Sequence, residues 1–167
     1  MKGDIYLDIK EKILSLLEDR TLTEQDIYKE LGGEDPAGTA ALNSLIANCF
    51  IAKSKSGNLG LPESLGLKRG KLEINRKGFG FVRCEGGDIY IAKEDMGGAM
   101  HSQTVLVRTE GDGERIKGRV VRVSAEPFFV TGTYVHSREG SRVVCDNPLH
   151  GYIHVPKKAA EGAEYGD

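Results

Sequence analysis

The sequence predicts a multidomain α+β protein: an N-terminal winged helix, then a small β-barrel, then part of a second, similar barrel. Three observations predict this order. Apolar residues recur at spacings of three and four before residue 50 and at every second position after residue 67, a change typical of helices followed by strands. Eleven of the 22 glycines fall within residues 66–118, where short strands need turns between them. A weak internal repeat connects this region with the end of the chain.

The charge of the chain is divided unevenly along its length. The 167 residues carry a net charge of −2, but residues 1–50 contribute −5, residues 51–123 contribute +5 and residues 124–167 contribute −2. A basic, glycine-rich middle segment favours a polyanion as the partner.

The composition excludes several classes of protein. No apolar run approaches the roughly 20 residues of a membrane span, and no signal peptide follows Met1, so no membrane partner is expected. Cys49, Cys84 and Cys145 are odd in number and form no C-x-x-C pair, which argues against a disulfide framework and a zinc ribbon. A reducing cytoplasm is therefore the expected location.

Residues 1–61 are predicted to form the winged helix. Apolar positions from Ile5 to Leu17 line one face of a first helix, and Thr23 is an N-cap for a second. A third helix is predicted over residues 36–48, followed by a short hairpin. Three helices followed by a hairpin is the order of a winged helix, a variant of the helix-turn-helix.

Residues 62–67 are predicted to be a linker, and residues 68–124 to form the first barrel. Beyond the linker, apolar residues mark about five short strands with glycine-bearing turns between them. These apolar positions are Leu72, Ile74, Phe79, Phe81, Ile89, Ile91, Val105, Val107, Ile116, Val120, Val121 and Val123. Several short strands at this spacing are typical of a small all-β barrel.

The sharpest local motif is residues 76–82, which read Arg-Lys-Gly-Phe-Gly-Phe-Val. Phe79 and Phe81 are two positions apart on a predicted strand, so both rings project from one face, and Tyr90 on the next strand is expected near them. Bases stacked on such rings gain about 1–3 kcal/mol each. The flanking glycines and basic residues favour a surface role over ordinary core packing. The predicted nucleic-acid-binding residues are these rings and the nearby basic side chains: Lys71, Arg76, Lys77, Phe79, Phe81, Arg83 and Tyr90.

Residues 77–82 followed by Asp88-Ile89-Tyr90-Ile91 resemble the paired RNA-binding motifs of cold-shock domains, which are OB-fold barrels. With a winged helix before them, and the Met96–Met100 segment and a second barrel after them, the whole chain resembles the N-terminal region of the ribonuclease R family, RNB-type exoribonucleases that act from the 3′ end. The resemblance implies an N-terminal winged helix, a cold-shock-type OB-fold β-barrel and a truncated second OB-like barrel.

The same resemblance implies a function and its limits. A chain of this kind would bind RNA, mainly single-stranded, and feed it to a catalytic domain. That domain has no counterpart in this sequence, so the chain alone is expected to be inactive in RNA degradation. A catalytic divalent metal such as Mg²⁺ would be bound by the absent domain, so no cofactor is expected in this chain.

Residues 127–167 are predicted to be a partial second OB-like barrel. Segments 91–103 and 155–167 align without a gap. The corresponding residues upstream are Gly70 and Gly132, Gly78 and Gly140, Phe79 and Ser141, Phe81 and Val143, and Tyr90 and His154. The second copy is thus expected to have lost most of the stacking surface. Because two strands follow segment 91–103 in the first copy, the second copy is expected to be two strands short.

A DNA-binding transcriptional regulator with an appended OB barrel is the alternative function. Its recognition helix would be residues 36–48, which contain no Lys or Arg. Proteins that read the major groove need basic side chains for phosphates and bases. The preferred role of the winged helix is therefore to dock a protein or to shape the path by which RNA enters. The chain is expected to be a monomer.

Overall fold

Three helices and a two-stranded hairpin form the first part of the fold. The structure, a computed structural model, describes residues 2–111, 115–160 and 162–167, with side chains described from residue 5 onward. The elements are α1 (Lys2–Leu16), α2 (Glu24–Leu31), α3 (Pro36–Ala47), β1 (Ala52–Lys53) and β2 (Leu59–Gly60). β1 and β2 pair antiparallel, as the sequence predicts for a hairpin at this place. No described helix is long and apolar enough to cross a membrane.

Local chemistry explains the ends of these helices. The Thr23 hydroxyl accepts a hydrogen bond from the Asp26 N–H at 3.2 Å at the start of α2, and α2 ends at Gly32, whose φ is +94°. The Asp35 carboxylate accepts from the Gly38 N–H at 2.6 Å and caps α3. Each cap pairs backbone groups that a helix end leaves without an intrahelical partner.

The apolar faces of the three helices meet the hairpin in one core. Its buried residues come from α1, α2, α3 and β2 and from the segments next to these elements. They include Ile13, Leu17, Ile27, Ala41, Leu42, Leu45, Ile51 and Leu59. The hairpin is held against the helices by a bridge in which the Leu22 N–H donates to the Leu59 carbonyl at 2.9 Å and the Leu59 N–H returns the bond at 2.7 Å.

A closed five-stranded barrel follows, and it confirms the predicted barrel. Its strands are β3 (Leu67–Ile74), β4 (Gly80–Arg83), β5 (Ile89–Ile91), β6 (Thr104–Glu110) and β7 (Lys117–Val123), in the order β3-β4-β5-β7-β6. β5 and β7 pair in parallel, and the other neighbours are antiparallel. The interior is filled by alternate residues of all five strands, among them Leu72, Val82, Ile89, Ile91, Val105, Val107 and Val120.

The helical part and the barrel are packed against each other. Residues 62–67, the predicted linker, contain a single turn of 3₁₀ helix at Pro62–Leu65, and Leu67 already begins β3. Leu67 is buried in a small cluster with Cys49, Ala52 and Leu106, which joins the end of α3 and the hairpin to the barrel. The Ala125 N–H also donates to the Ala47 carbonyl at 3.0 Å.

A three-stranded antiparallel sheet ends the chain. Its strands are β8 (Gly132–Ser137), β9 (Gly140–Cys145) and β10 (Tyr152–Val155), in the order β8-β9-β10. This is the order of β3-β4-β5 in the barrel.

The hydrogen bonds of the two copies agree with the predicted repeat. In the barrel, the Leu72 N–H donates to the Gln103 carbonyl at 2.9 Å, and the Leu72 carbonyl accepts from the Ser102 N–H at 2.7 Å. At the corresponding place in the second sheet, Tyr134 exchanges the same two bonds with Asp167 and Gly166, at 2.6 and 3.0 Å. The ends of segments 91–103 and 155–167 therefore bond to equivalent strands, β3 in the barrel and β8 in the second sheet.

Candidate nucleic-acid interface

Three aromatic rings lie together on the outside of the barrel, where β4 and β5 pair. Phe81 and Tyr90 are cross-strand partners, and Phe79 immediately precedes β4. The ring centres of Phe79 and Phe81 are 6.0 Å apart, those of Phe79 and Tyr90 5.5 Å, and those of Phe81 and Tyr90 5.8 Å. The alternation of β4 accounts for this placement, because Gly80 and Val82 face the interior while Phe81 faces outward and is 37% exposed.

Two of the three ring pairs are edge-to-face and the third is tilted, so the rings do not form a flat layer. The interplanar angles are 79° between Phe79 and Phe81, 71° between Phe81 and Tyr90 and 43° between Phe79 and Tyr90. Edge-to-face contact is a favoured arrangement of aromatic rings, so the cluster is stable without a ligand.

The glycines of the motif allow close approach of the backbone. A Cβ at Gly80 would lie 2.6 Å from the Glu73 carbonyl oxygen, so any side chain there would push β4 away from β3. Gly78 has a φ of +91° in the turn between these strands, a conformation that other residues adopt with strain.

The turn that carries the basic residues is closed by its own hydrogen bonds. The Asn75 side-chain oxygen accepts from the Lys77 N–H at 2.9 Å, and the Asn75 N–H donates to the Phe79 carbonyl at 2.9 Å. The Asn75 carbonyl accepts from the Gly78 N–H at 3.1 Å. Arg76 and Lys77 are exposed on this turn, beside the aromatic cluster.

A histidine fixes the point where this turn begins. The Ile74 N–H donates to His101 Nδ1 at 3.0 Å, so the neutral ring carries its proton on Nε2. The His150 ring, in the connection between β9 and β10, packs against it, with ring centres 5.4 Å apart. Burial, together with the charge that His101 can carry, lowers the pKa of His150.

Arg83 lies between two carboxylates. Its Nε donates to Glu73 Oε2 at 3.1 Å, and a second guanidinium nitrogen pairs with the Asp88 carboxylate. The hydrogen bond to Glu73 and the charge of Asp88 raise the pKa of Arg83. The sequence places Arg83 among the phosphate-binding residues, whereas the structure places it in a group of one cation and two anions. Lys71 is exposed on the neighbouring strand.

A pocket of about 690 Å³ opens beside the aromatic cluster. Phe79, Phe81 and Tyr90 form part of its wall, and the rest of the lining comes from Asp88, Arg115, Ile116 and Lys117. Sequence reasoning missed Arg115 and Lys117. Lys117 becomes the neighbour of Tyr90 only when β7 pairs in parallel with β5, and Arg115 lies two residues before β7. The +5 charge of residues 51–123 indicated that basic residues surround the site, but it did not indicate which of them lie beside the rings.

Comparison with known proteins bears on the barrel directly. Residues 70–123 match the family described as the ribonuclease B OB domain. This match covers β3 to β7 almost completely and supports an OB-like fold for the closed barrel, on whose surface the aromatic cluster lies.

Longer relatives extend the similarity. Ribonuclease R of Acidithiobacillus ferrooxidans is 32% identical over 123 residues, which is 68% of this chain and 28% of that protein. Ribonuclease R of Escherichia coli strain K12 is 33% identical over 112 residues, or 64% of this chain and 14% of that protein. Ribonuclease R of Vibrio cholerae is 32% identical over 116 residues, again 64% and 14%. The chain therefore matches less than a third of the length of these relatives.

The second sheet corrects one detail of the predicted repeat. In the barrel, Phe81 lies opposite Tyr90; in the second sheet, Arg142 lies opposite His154. Arg142, and not Val143, thus occupies the position of Phe81. Five residues separate the cross-strand partners Ile74 and Gly80, whereas four separate the equivalent partners His136 and Ser141. Alignment of Phe81 with Val143 therefore misses the register by one residue.

Cys49 is buried where the helical part meets the barrel, and Cys84, the residue after β4, is partly buried. Burial raises the thiol pKa of Cys49, and the same cause raises that of Cys84. All three cysteines of the chain are free thiols. A raised thiol pKa makes a cysteine a weaker nucleophile.

Proposed function

We propose that this chain binds single-stranded RNA on the outer face of its OB barrel, by stacking bases on Phe79, Phe81 and Tyr90. The observation that carries the proposal is the contact of these three rings on a surface beside an open pocket. Exposed bases stack on aromatic rings whatever their sequence, whereas bases inside a duplex are already stacked on one another. Lys71, Arg76 and Lys77 are exposed around the rings and supply positive charge for phosphates.

The similarity to ribonuclease R supports a role in RNA metabolism. In this proposal the chain is the RNA-capturing, non-catalytic part of a ribonuclease R-like 3′-to-5′ exoribonuclease in the cytoplasm, and it delivers a strand to a catalytic domain that holds the divalent metal. The three helices and hairpin act as a winged helix that docks a protein or guides RNA, and β8-β9-β10 act as a partial cold-shock-type barrel. The chain acts as a monomer.

Binding of a fluorescent 12-nucleotide RNA, followed by anisotropy, tests the stacking surface. Each stacked base contributes about 1–3 kcal/mol, so Phe79→Ala with Phe81→Ala is expected to weaken binding at least tenfold. A matched control is Phe129→Ala, which removes an 87% exposed ring outside the barrel and is expected to leave the affinity unchanged. Equal affinity of the double variant and the parent chain would contradict the proposal.

The same assay with duplex DNA tests the alternative of a regulator. α3 carries no basic residue, and its exposed side is flanked by Glu34 and Asp35. Repulsion of DNA phosphates by these carboxylates predicts that duplex DNA binds more weakly than single-stranded RNA. Tighter binding of the duplex would favour the DNA-binding function instead.

A further inference from the structure

The aromatic cluster has two different flanks. On one side β4 pairs with β3, and Glu73 is the cross-strand partner of Phe81. On the other side β5 pairs in parallel with β7, and Lys117 is the partner of Tyr90. The Tyr90 N–H donates to the Ile116 carbonyl at 2.9 Å, which fixes this second flank against the rings.

On the β3 flank, the Arg83 guanidinium is poorly suited to a phosphate. Arg83, two residues beyond Phe81 on β4, is bound to the carboxylates of Glu73 and Asp88. This group of three side chains carries a net charge of −1. A phosphate that approached Arg83 would have to displace a carboxylate that already occupies its donors, and would meet the second one.

The β7 flank presents two cations that form no ion pair among the described residues. Lys117 and Arg115 are both exposed, and both line the pocket beside the rings. Within the described part of the chain neither forms an ion pair within 4 Å, and this includes Glu110, the cross-strand partner of Lys117 on β6. Long basic side chains next to a stacking surface can reach the phosphate of a base bound there.

We propose that Lys117 and Arg115 bind the phosphates of the RNA, so that the backbone of the strand passes along the β7 side of the aromatic cluster. Arg83 binds no phosphate and instead braces β3, β4 and the turn before β5. This inference rests on the proposed RNA binding, and it defines the route of the strand and the residues that hold it.

Salt dependence of the anisotropy assay separates the two flanks. For single strands the slope of log K against log salt changes by about 0.7 for each phosphate that the protein no longer neutralises. Lys117→Gln and Arg115→Gln are each expected to reduce the slope by about 0.7 and to weaken binding about threefold to tenfold at low salt. Lys12→Gln removes the same charge from α1, and its slope is expected to match that of the parent.

A charge-neutral double variant tests the other flank. Glu73→Gln with Arg83→Gln removes one charge of each sign, so the net charge is preserved, and its slope is expected to equal that of the parent. Thermal melting of each variant identifies any that is unfolded at the assay temperature.

Two outcomes overturn the inference. An unchanged slope in both Lys117→Gln and Arg115→Gln is one, and a slope reduced by about 0.7 in the double variant is the other. Neither outcome contradicts the proposed function as long as the Phe79→Ala, Phe81→Ala double variant binds RNA more weakly than the parent. The proposed function fails on different results: the parent chain does not bind RNA, or the Phe79→Ala, Phe81→Ala double variant binds it as tightly as the parent.

Discussion

The guanidinium carbon of Arg69 lies 3.9 Å from the centre of the Phe50 ring, so a barrel strand is stacked on the segment that follows α3. The same side chain donates from Nε to the Asn48 carbonyl at 3.2 Å and pairs with Glu126 at 3.0 Å. Arg69 thus contacts the helical part, the barrel and the segment that leads to the second sheet. Together with the buried Leu67, it makes the junction a packed interface.

Replacement of Arg69 is expected to loosen this junction. A partly buried cation on an aromatic ring, with charge-assisted hydrogen bonds, contributes about 1–2 kcal/mol. Arg69→Met should lower the free energy of unfolding by that amount, measured by urea denaturation, and should speed proteolysis near residues 62–67. Arg122→Met is the control, since Arg122 is exposed on β7 and is expected to tolerate the change. Equal stability of Arg69→Met and the parent would show that the junction does not depend on this residue.

Gly70 is expected to accept no side chain. A Cβ there would overlap the Arg83 carbonyl oxygen and lie 2.6 Å from Val82 Cγ1, because β3 crosses closely over β4. Gly70→Ala should therefore cost about 1–3 kcal/mol of stability, seen as a lower melting temperature. Lys71→Ala changes the next, exposed residue and should leave the melting temperature nearly unchanged. A fully stable Gly70→Ala would contradict this close packing of the two strands.

Asn75 is expected to matter for RNA binding more than for stability. Its side-chain oxygen accepts from the Lys77 N–H and closes the turn that carries Arg76, Lys77 and Phe79. Loss of this hydrogen bond removes about 1 kcal/mol that holds the turn in the shape that presents these residues. Asn75→Ala is therefore expected to bind RNA roughly fivefold more weakly in the anisotropy assay. Asn147 makes the same type of bond with the Leu149 N–H at 3.0 Å, so Asn147→Ala is a matched control. An equal decrease of affinity in both variants would contradict a specific role of the first turn.

The stability of the fold is expected to fall between pH 7 and pH 5, partly through His150. Burial and the nearby His101 lower the pKa of His150 below its ordinary value of 6.5. Below pH 6.5 the unfolded chain then binds more protons than the folded chain. The contribution of His150 to the free energy of unfolding is therefore fully present above pH 6.5 and is lost as the pH falls through the folded pKa. His150→Leu should show a smaller drop in melting temperature from pH 7.5 to pH 5 than the parent. The control His154→Leu removes an exposed histidine of β10, and a drop as small as that of His150→Leu would contradict the assignment.

Alternation along the chain was sufficient to predict the barrel and the side of each ring. Period-two hydrophobicity after residue 67 predicts the strands, and spacing by two places Phe79 and Phe81 on one face, as the structure has them. These properties are local, because successive side chains of a strand point to opposite faces whatever its neighbours are. The caps of α2 and α3 follow from local hydrogen bonds in the same way.

Register between distant segments was decided only by the tertiary structure. Nothing in the order of residues shows that Arg83 meets both Glu73 and Asp88, or that Lys117 becomes the neighbour of Tyr90. Arg142 opposite His154 is a further case, where a shorter turn shifts the pairing by one residue. Strand pairing joins residues far apart in sequence, and a shift of one position exchanges the two faces. The sequence alone therefore indicates which surface binds, and the folded barrel decides which charges surround it.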